Sequence, residues 1–227
     1  GHAALLGGYI SNSGIVTARL GKIALGAGEK ITLDFVGDGL MKVTVPSHKL
    51  SKITDIGGNT LESLINNSGT LKANGGMIKL SAATAMGLSR GAVNIGSSGS
   101  IIAQSVNSKP GKIVIGSPSA NSVRVAGNID VSGPKRFISP SGTIIVQGRR
   151  VTHTGNIYAN GGSGGKIKVL STENLKLDGS LFAKGTKDKG GSVIVMSENS
   201  IQTSAKTVID VSGQLKGGTA QLLAKVK

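Results

Sequence analysis

"NSGTLKANGGMIKL" at residues 67–80 rewrites, 55 residues on, the "NSGIVTARLGKIAL" of residues 12–25. Both stretches share a grammar: Asn-Ser-Gly, a short apolar alternation ending in Ala, a glycine, and a second alternation of apolar and other residues. A fixed pattern recurring at this scale is the mark of a repeat architecture, in which each unit buries its apolar face against the next. The pattern returns in "GNIDVSG" with "GTIIV" (127–146), "GNIYANGGSGGKIKV" (155–169), "GSLFAKGTKDKGGSVIV" (179–195) and, more weakly, "TVIDVSGQLKGGTAQL" (207–222). Its leading glycines are Gly69, Gly99, Gly127, Gly155 and Gly179, spaced by 30, 28, 28 and 24 residues. On that spacing the interval from Gly14 to Gly69 is expected to hold two units.

A third alternating run precedes each leading glycine, as in "SVRV" (122–125), "RVTH" (150–153), "LKL" (175–177) and "SIQT" (200–203). Three short period-two runs per repeat, separated by glycine or polar corners, predict three short strands per turn of a coiled parallel sheet. Helices are excluded as repeat elements, because glycine interrupts every candidate apolar stripe. The expected fold is therefore all-β, a parallel β-helix of seven or eight coils. Its inward columns are Ile23, Ile78, Ile113, Ile144, Ile167 and Val193 on one strand, and Val16, Leu71, Ile129, Ile157, Leu181 and Ile209 on another. Each member of the second column is followed two positions on by Ala or Val, which suits a narrow interior. Corner glycines are expected to supply positive φ.

"KITLDFVGDGLMKVTV" (30–45) breaks the pattern. Two alternating runs around Gly37, Asp38 and Gly39 predict an antiparallel hairpin outside the coil or flanking it. Residues 46–66 are less regular, with a short helix expected at residues 60–65.

Composition agrees with a solenoid. The chain has 36 glycines among 227 residues, two tyrosines, three phenylalanines and neither tryptophan nor cysteine, so small aliphatic side chains must carry the burial. Without cysteine there is no disulfide framework and no thiolate metal site. Lys and Arg number 26 against 11 Asp and Glu, a formal charge of +15 that favours polyanionic partners.

Residues 12–45, "NSGIVTARLGKIALGAGEKITLDFVGDGLMKVTV", followed by "INNSGTLKANGGMIKLSA" (65–82), closely resemble the N-terminal secretion domain of filamentous-haemagglutinin-like adhesins, the exoproteins of bacterial two-partner secretion. The resemblance is strong over residues 1–82 and looser over 83–227, where generic coils continue the same structural unit. It implies a right-handed parallel β-helix exported through a dedicated outer-membrane pore, a secreted or cell-surface location, and roles in adhesion and virulence, matrix or contact-dependent competition. The family's Asn-Pro motifs are absent, since none of the five prolines follows an asparagine. "GHAALLGGYISNSG" resembles the closing part of that domain, so the chain is expected to start inside it and the coil to continue in both directions.

Parallel β-helices also carry polysaccharide-cleaving enzymes, whose chemistry uses two carboxylates within about 5–9.5 Å. Asp130 and Asp210 share an outward slot but lie three coils apart, about 14 Å at the usual strand spacing. Asp34 and Asp38 belong to the hairpin. His153 shares its slot with Val125 and Leu177 and is expected to point inward; His2 and His48 lie far from it in sequence. "GGSGGK" (161–166) lacks the spacing and following Ser/Thr of a phosphate loop and reads as a coil corner. These readings predict no catalysis, no cofactor and no metal.

The basic residues point to binding. Lys166, Lys168, Lys184, Lys187, Lys189, Arg149 and Arg150 are the candidate polyanion-binding set, and sulfated or otherwise acidic glycans are the expected ligands. Nucleic acid is disfavoured by the near absence of aromatics among them. Tyr158 and Phe182 fall in one outward slot on consecutive coils, as a sugar platform or as a ladder that stiffens the sheet. Two alternatives to a glycan-binding adhesin stand beside it: a polymerising extracellular scaffold, built through the open first and last coils by end-to-end association, and a carbohydrate-active enzyme.

Overall fold

The computed structural model describes residues 1–28, 30–34, 40–45, 58, 62–82, 91–136 and 138–225. Among these the chain is all-β and forms a parallel β-helix with three faces. One coil shows the plan: Lys166–Ser171 lies in the first sheet, Asn174–Leu177 in the second and Ser180–Phe182 in the third, after which Ser192–Ser197 re-enters the first. The first sheet has eight strands and the others seven each, all parallel within their sheet.

The inward columns are those of the sequence. Ile23, Ile78, Ile113, Ile144, Ile167 and Val193 pair in unbroken succession, and all are fully buried. Leu71, Ile101, Ile129, Ile157 and Leu181 do the same in the third sheet, with Ala73, Ala103, Val131, Ala159 and Ala183 buried behind them. Complete burial of each Ile or Leu contributes roughly 1.5–3 kcal/mol. The repeated Asn-Ser-Gly has its own reason. Asn12 and Asn67 are stacked and buried where the second sheet turns into the third, Asn12 Nδ2 donating to Asn67 Oδ1 at 2.7 Å and Asn67 Nδ2 to the Gly69 carbonyl at 2.9 Å. In later coils the slot passes to Ile95, Val125, His153 and Leu177.

Three expectations need correction. Val16 pairs directly with Leu71, so Gly14 and Gly69 sit on adjacent coils and the interval between them is one coil carrying an insertion, not two units. Part of that insertion is the predicted hairpin, Lys30–Asp34 antiparallel to Leu40–Val45, which flanks the first sheet: Ile31 and Met77 pack around Ala24. Its turn, residues 35–39, is outside the described residues. Second, the expected helix at 60–65 is overturned where it is described, because Ser63–Asn67 is a strand of the second sheet, with Ile65 filling the slot between Ile10 and Val93. Third, the leading corner glycines are not needed for positive φ, which among the described glycines occurs at Gly58, Gly75 and Gly116. They are needed for space. A Cβ on Gly69, Gly127, Gly155 or Gly179 would lie within 3.0 Å of the carbonyl oxygen of Gly14, Gly99, Gly127 or Gly155 on the coil before.

Amides left over at the exit from the third sheet are taken by side chains one coil away. Gln104 N donates to Asn74 Oδ1 at 3.2 Å and Lys184 N to Asn160 Oδ1 at 2.8 Å.

Ile167 and Lys168 are sequence neighbours on opposite faces, which gives a direct test. Ile167→Asp places a carboxylate inside the stack and should cost roughly 4 kcal/mol or more, with loss of cooperative melting by circular dichroism. Lys168→Asp on the outer face should melt within a few degrees of the parent.

Candidate polyanion-binding surface

Period-two alternation in Lys166–Ser171 turns Lys166 and Lys168 outward while Ile167 and Val169 fill the core. Register then builds columns. Lys22, Met77, Lys112, Thr143 and Lys166 follow one another on the outer face of the first sheet, and Lys79, Val114, Ile145 and Lys168 form the next column. The strands of this sheet contain no aspartate or glutamate. Like charges in a column are separated by one or two uncharged residues: Lys112 and Lys166, with Thr143 between them, stand about 10 Å apart at the usual strand spacing.

At the corner leading into this sheet, three glycine pairs stack: Gly164-Gly165, Gly190-Gly191 and Gly217-Gly218. They floor an open hollow of about 310 Å³ whose cationic walls are Lys166, Lys189 and Lys216. Lys189 and Lys216 bridge on adjacent coils. The hollow depends on glycine, since a Cβ on Gly191 or Gly218 would strike the carbonyl oxygen of Gly165 or Gly191. Among the described residues none of the three lysines has a carboxylate partner. The nearby Asp188 accepts a hydrogen bond from Ser163 Oγ at 2.7 Å. The corner amides are used internally, Gly164 N donating to the Lys189 carbonyl and Gly165 N to the Ala159 carbonyl, so "GGSGGK" is a coil corner and not an anion-cradling loop.

The seven cations singled out in the sequence do not form one patch. Lys166 and Lys189 share the hollow, Lys168 lies two residues further along the same strand, and Lys187 is exposed on the corner loop. Lys184 faces the third sheet, where it pairs with Asp210 and lies 5.5 Å from the centroid of the Phe182 ring. The hydrogen bond from Lys184, with further help from the Ser212 amide, holds the Asp210 carboxyl down to about 2. Arg149 is neutralised by Glu173 at the turn from the first to the second sheet. Arg150 stands on the second sheet, its Nη2 donating to Asn121 Oδ1 at 2.7 Å. Sequence reasoning missed Lys112 and Lys216 as members of the surface; the Gly-Gly that recurs before Lys166, Ser192 and Thr219 would have placed Lys216 level with Lys189.

Tyr158 and Phe182 do stack, with ring centroids 5.4 Å apart and planes 10° from parallel. In their column Asp130 precedes Tyr158 and Asp210 follows Phe182, so the two carboxylates weighed as a catalytic pair are held apart by two intervening strands. Each ring turns a face to the other, and Lys184 covers part of Phe182. The side chain of Asp34, and Asp38 and His48 altogether, lie outside the described residues.

His153 occupies the inward slot between Val125 and Leu177 and is fully buried. Its Nε2 is 3.4 Å from the Ser180 carbonyl and its Nδ1 has no hydrogen-bond partner. Desolvation pushes its pKa down to about 4, so the ring is neutral at physiological pH. No group of three or more His, Asp or Glu residues able to hold a metal occurs among the described residues.

Fold and surface together define a parallel β-helix whose first-sheet strands carry lysines and no aspartate or glutamate. Comparison with protein-family models, curated proteins and solved structures returned no match.

The buried histidine generates a pH prediction. Its folded pKa lies below the ordinary value of 6.5, so as pH falls the unfolded chain takes up the proton first. Stability is therefore full above about pH 6.5 and declines towards pH 4, by about 3 kcal/mol in total. His153→Leu, which copies Leu177 in the same column, should flatten denaturant midpoints measured across that window.

Proposed function

We propose that this chain is a non-catalytic stretch of a secreted bacterial adhesin whose first-sheet face and adjoining corner bind polyanionic glycans. The observation that carries the reading is the convergence of Lys166, Lys189 and Lys216 on one glycine-floored hollow beside a sheet without carboxylates. Lysines gathered at one corner raise the local positive potential, and exposed ammonium groups suit sulfate and carboxylate arrays without demanding one geometry. The likeness of residues 1–82 to two-partner secretion exoproteins supplies the setting: export through an outer-membrane pore and display at the cell surface.

Elution from immobilised heparin tests this. The wild type should be retained and released by salt, as screening predicts. Lys166→Gln/Lys189→Gln/Lys216→Gln should elute markedly earlier, while Lys184→Gln, whose charge is already neutralised by Asp210, should elute near the wild type. Equal retention of the triple variant would move the surface elsewhere.

A further inference from the structure

We propose that the outer face of the second sheet carries a separate site, built on Arg124 and Arg150, for a carboxylate-bearing sugar residue. The site starts from a missing side chain. Gly91 opens the strand Gly91–Ile95 opposite Ser63, and a Cβ there would lie 3.1 Å from the Glu62 carbonyl oxygen and 3.2 Å from the Ser63 Cβ. Beside it is an open hollow of about 420 Å³, within the range of small-ligand sites. Its polar walls are Ser63, Asn94, Ser122, Arg124 and Arg150, with the exposed Glu62 completing the set.

Strand register sets the two arginines together. Ser122 pairs with Arg150 and Arg124 with Thr152, so Arg124 and Arg150 are diagonal neighbours on adjacent strands of one face. Neither belongs to an ion pair among the described residues. The Arg150 bond to Asn121 Oδ1 steadies one guanidinium and leaves its remaining N–H groups unassigned. Paired guanidiniums match a carboxylate by forked, charge-assisted hydrogen bonds.

Asn94 adds the second requirement. Its Nδ2 donates to Asn66 Oδ1 at 3.0 Å, and that oxygen also receives Ser63 Oγ at 2.7 Å. Asn94 Oδ1 is buried and has no partner. A buried acceptor left unmatched is costly, so a donor from a ligand would be rewarded. The hollow thus asks for a molecule with an acid group for the arginines and hydroxyl donors for Asn94 Oδ1 and Glu62, which is a sugar acid. Sulfate or phosphate ions bring no comparable hydroxyl donors and meet Glu62; a neutral sugar leaves both guanidiniums unused. Among the described residues no aromatic ring lines the hollow, so a nucleobase finds no stacking surface there.

Sodium glucuronate, titrated into the isotopically labelled chain with amide shifts as the readout, tests the assignment, with glucose and sodium sulfate as controls. Saturable shifts at Ser63, Asn94, Ser122, Arg124 and Arg150 are expected for glucuronate alone, weakened at least about tenfold in Arg124→Gln and in Arg150→Gln. Arg150→Lys keeps the charge but not the fork and should also lose affinity; it serves where a glutamine variant melts early. Equal shifts from glucose or sulfate, or affinity unchanged in folded arginine variants, would overturn the site. The Lys166→Gln/Lys189→Gln/Lys216→Gln protein should bind glucuronate normally, so failure of the lysine surface and failure of this site are told apart.

Discussion

Each coil of this protein lies one strand spacing, about 4.8 Å, from the next, and that distance governs what every position can hold. At the corners it brings the carbonyl of one coil to where a Cβ of the next would stand, so the columns beginning at Gly14 and Gly21 contain nothing but glycine through most of the stack. Inside, it makes each side chain the floor of its successor, so columns of Ile, Leu, Val and Ala fill most of the space, and Asn12, Asn67 and His153 interrupt one of them. Outside, it turns isolated surface residues into files. Two aromatics one repeat apart become a stacked pair, and lysines one repeat apart become immediate neighbours.

The three faces consequently differ in character although one repeat generates them all. The strands of the first sheet hold lysines and no carboxylate of their own, the second sheet offers arginines and amides around a gap, and the third ties down its aspartates, Asp210 by Lys184 and Asp130 by Gln104 Nε2 at 2.6 Å. A net charge of +15 is thus distributed unevenly, and its availability to a partner is a matter of register as much as of composition.

The inward columns were legible because period-two alternation needs no knowledge of neighbours: Ile167 and Val193 announce themselves. The hairpin strands were legible for the same reason. Spacing alone could not separate an inserted segment from a whole coil, which is why the interval from Gly14 to Gly69 read as two. Leu64 and Ile65 carry no local sign of strand; their conformation follows from the slot between Ile10 and Val93. Positive φ was the ordinary reason for a corner glycine, yet the carbonyl overhead is a fact of the neighbouring coil. The cation set divided on the same ground, since the partners of Arg149 and Lys184 lie 24 and 26 residues away and become adjacent only when the coil closes.

The hairpin has an implication for how such a chain can change. The path leaves the stack after Ala27 and is back in register at Ser63, with Val16 still paired to Leu71 as though nothing had intervened. Since the pairing on either side fixes both points of departure and return, the length of what lies between does not disturb the phase of the coils. That corner is a modular port: evolution or a protein engineer can exchange its cargo without rewriting the axle on which it is mounted.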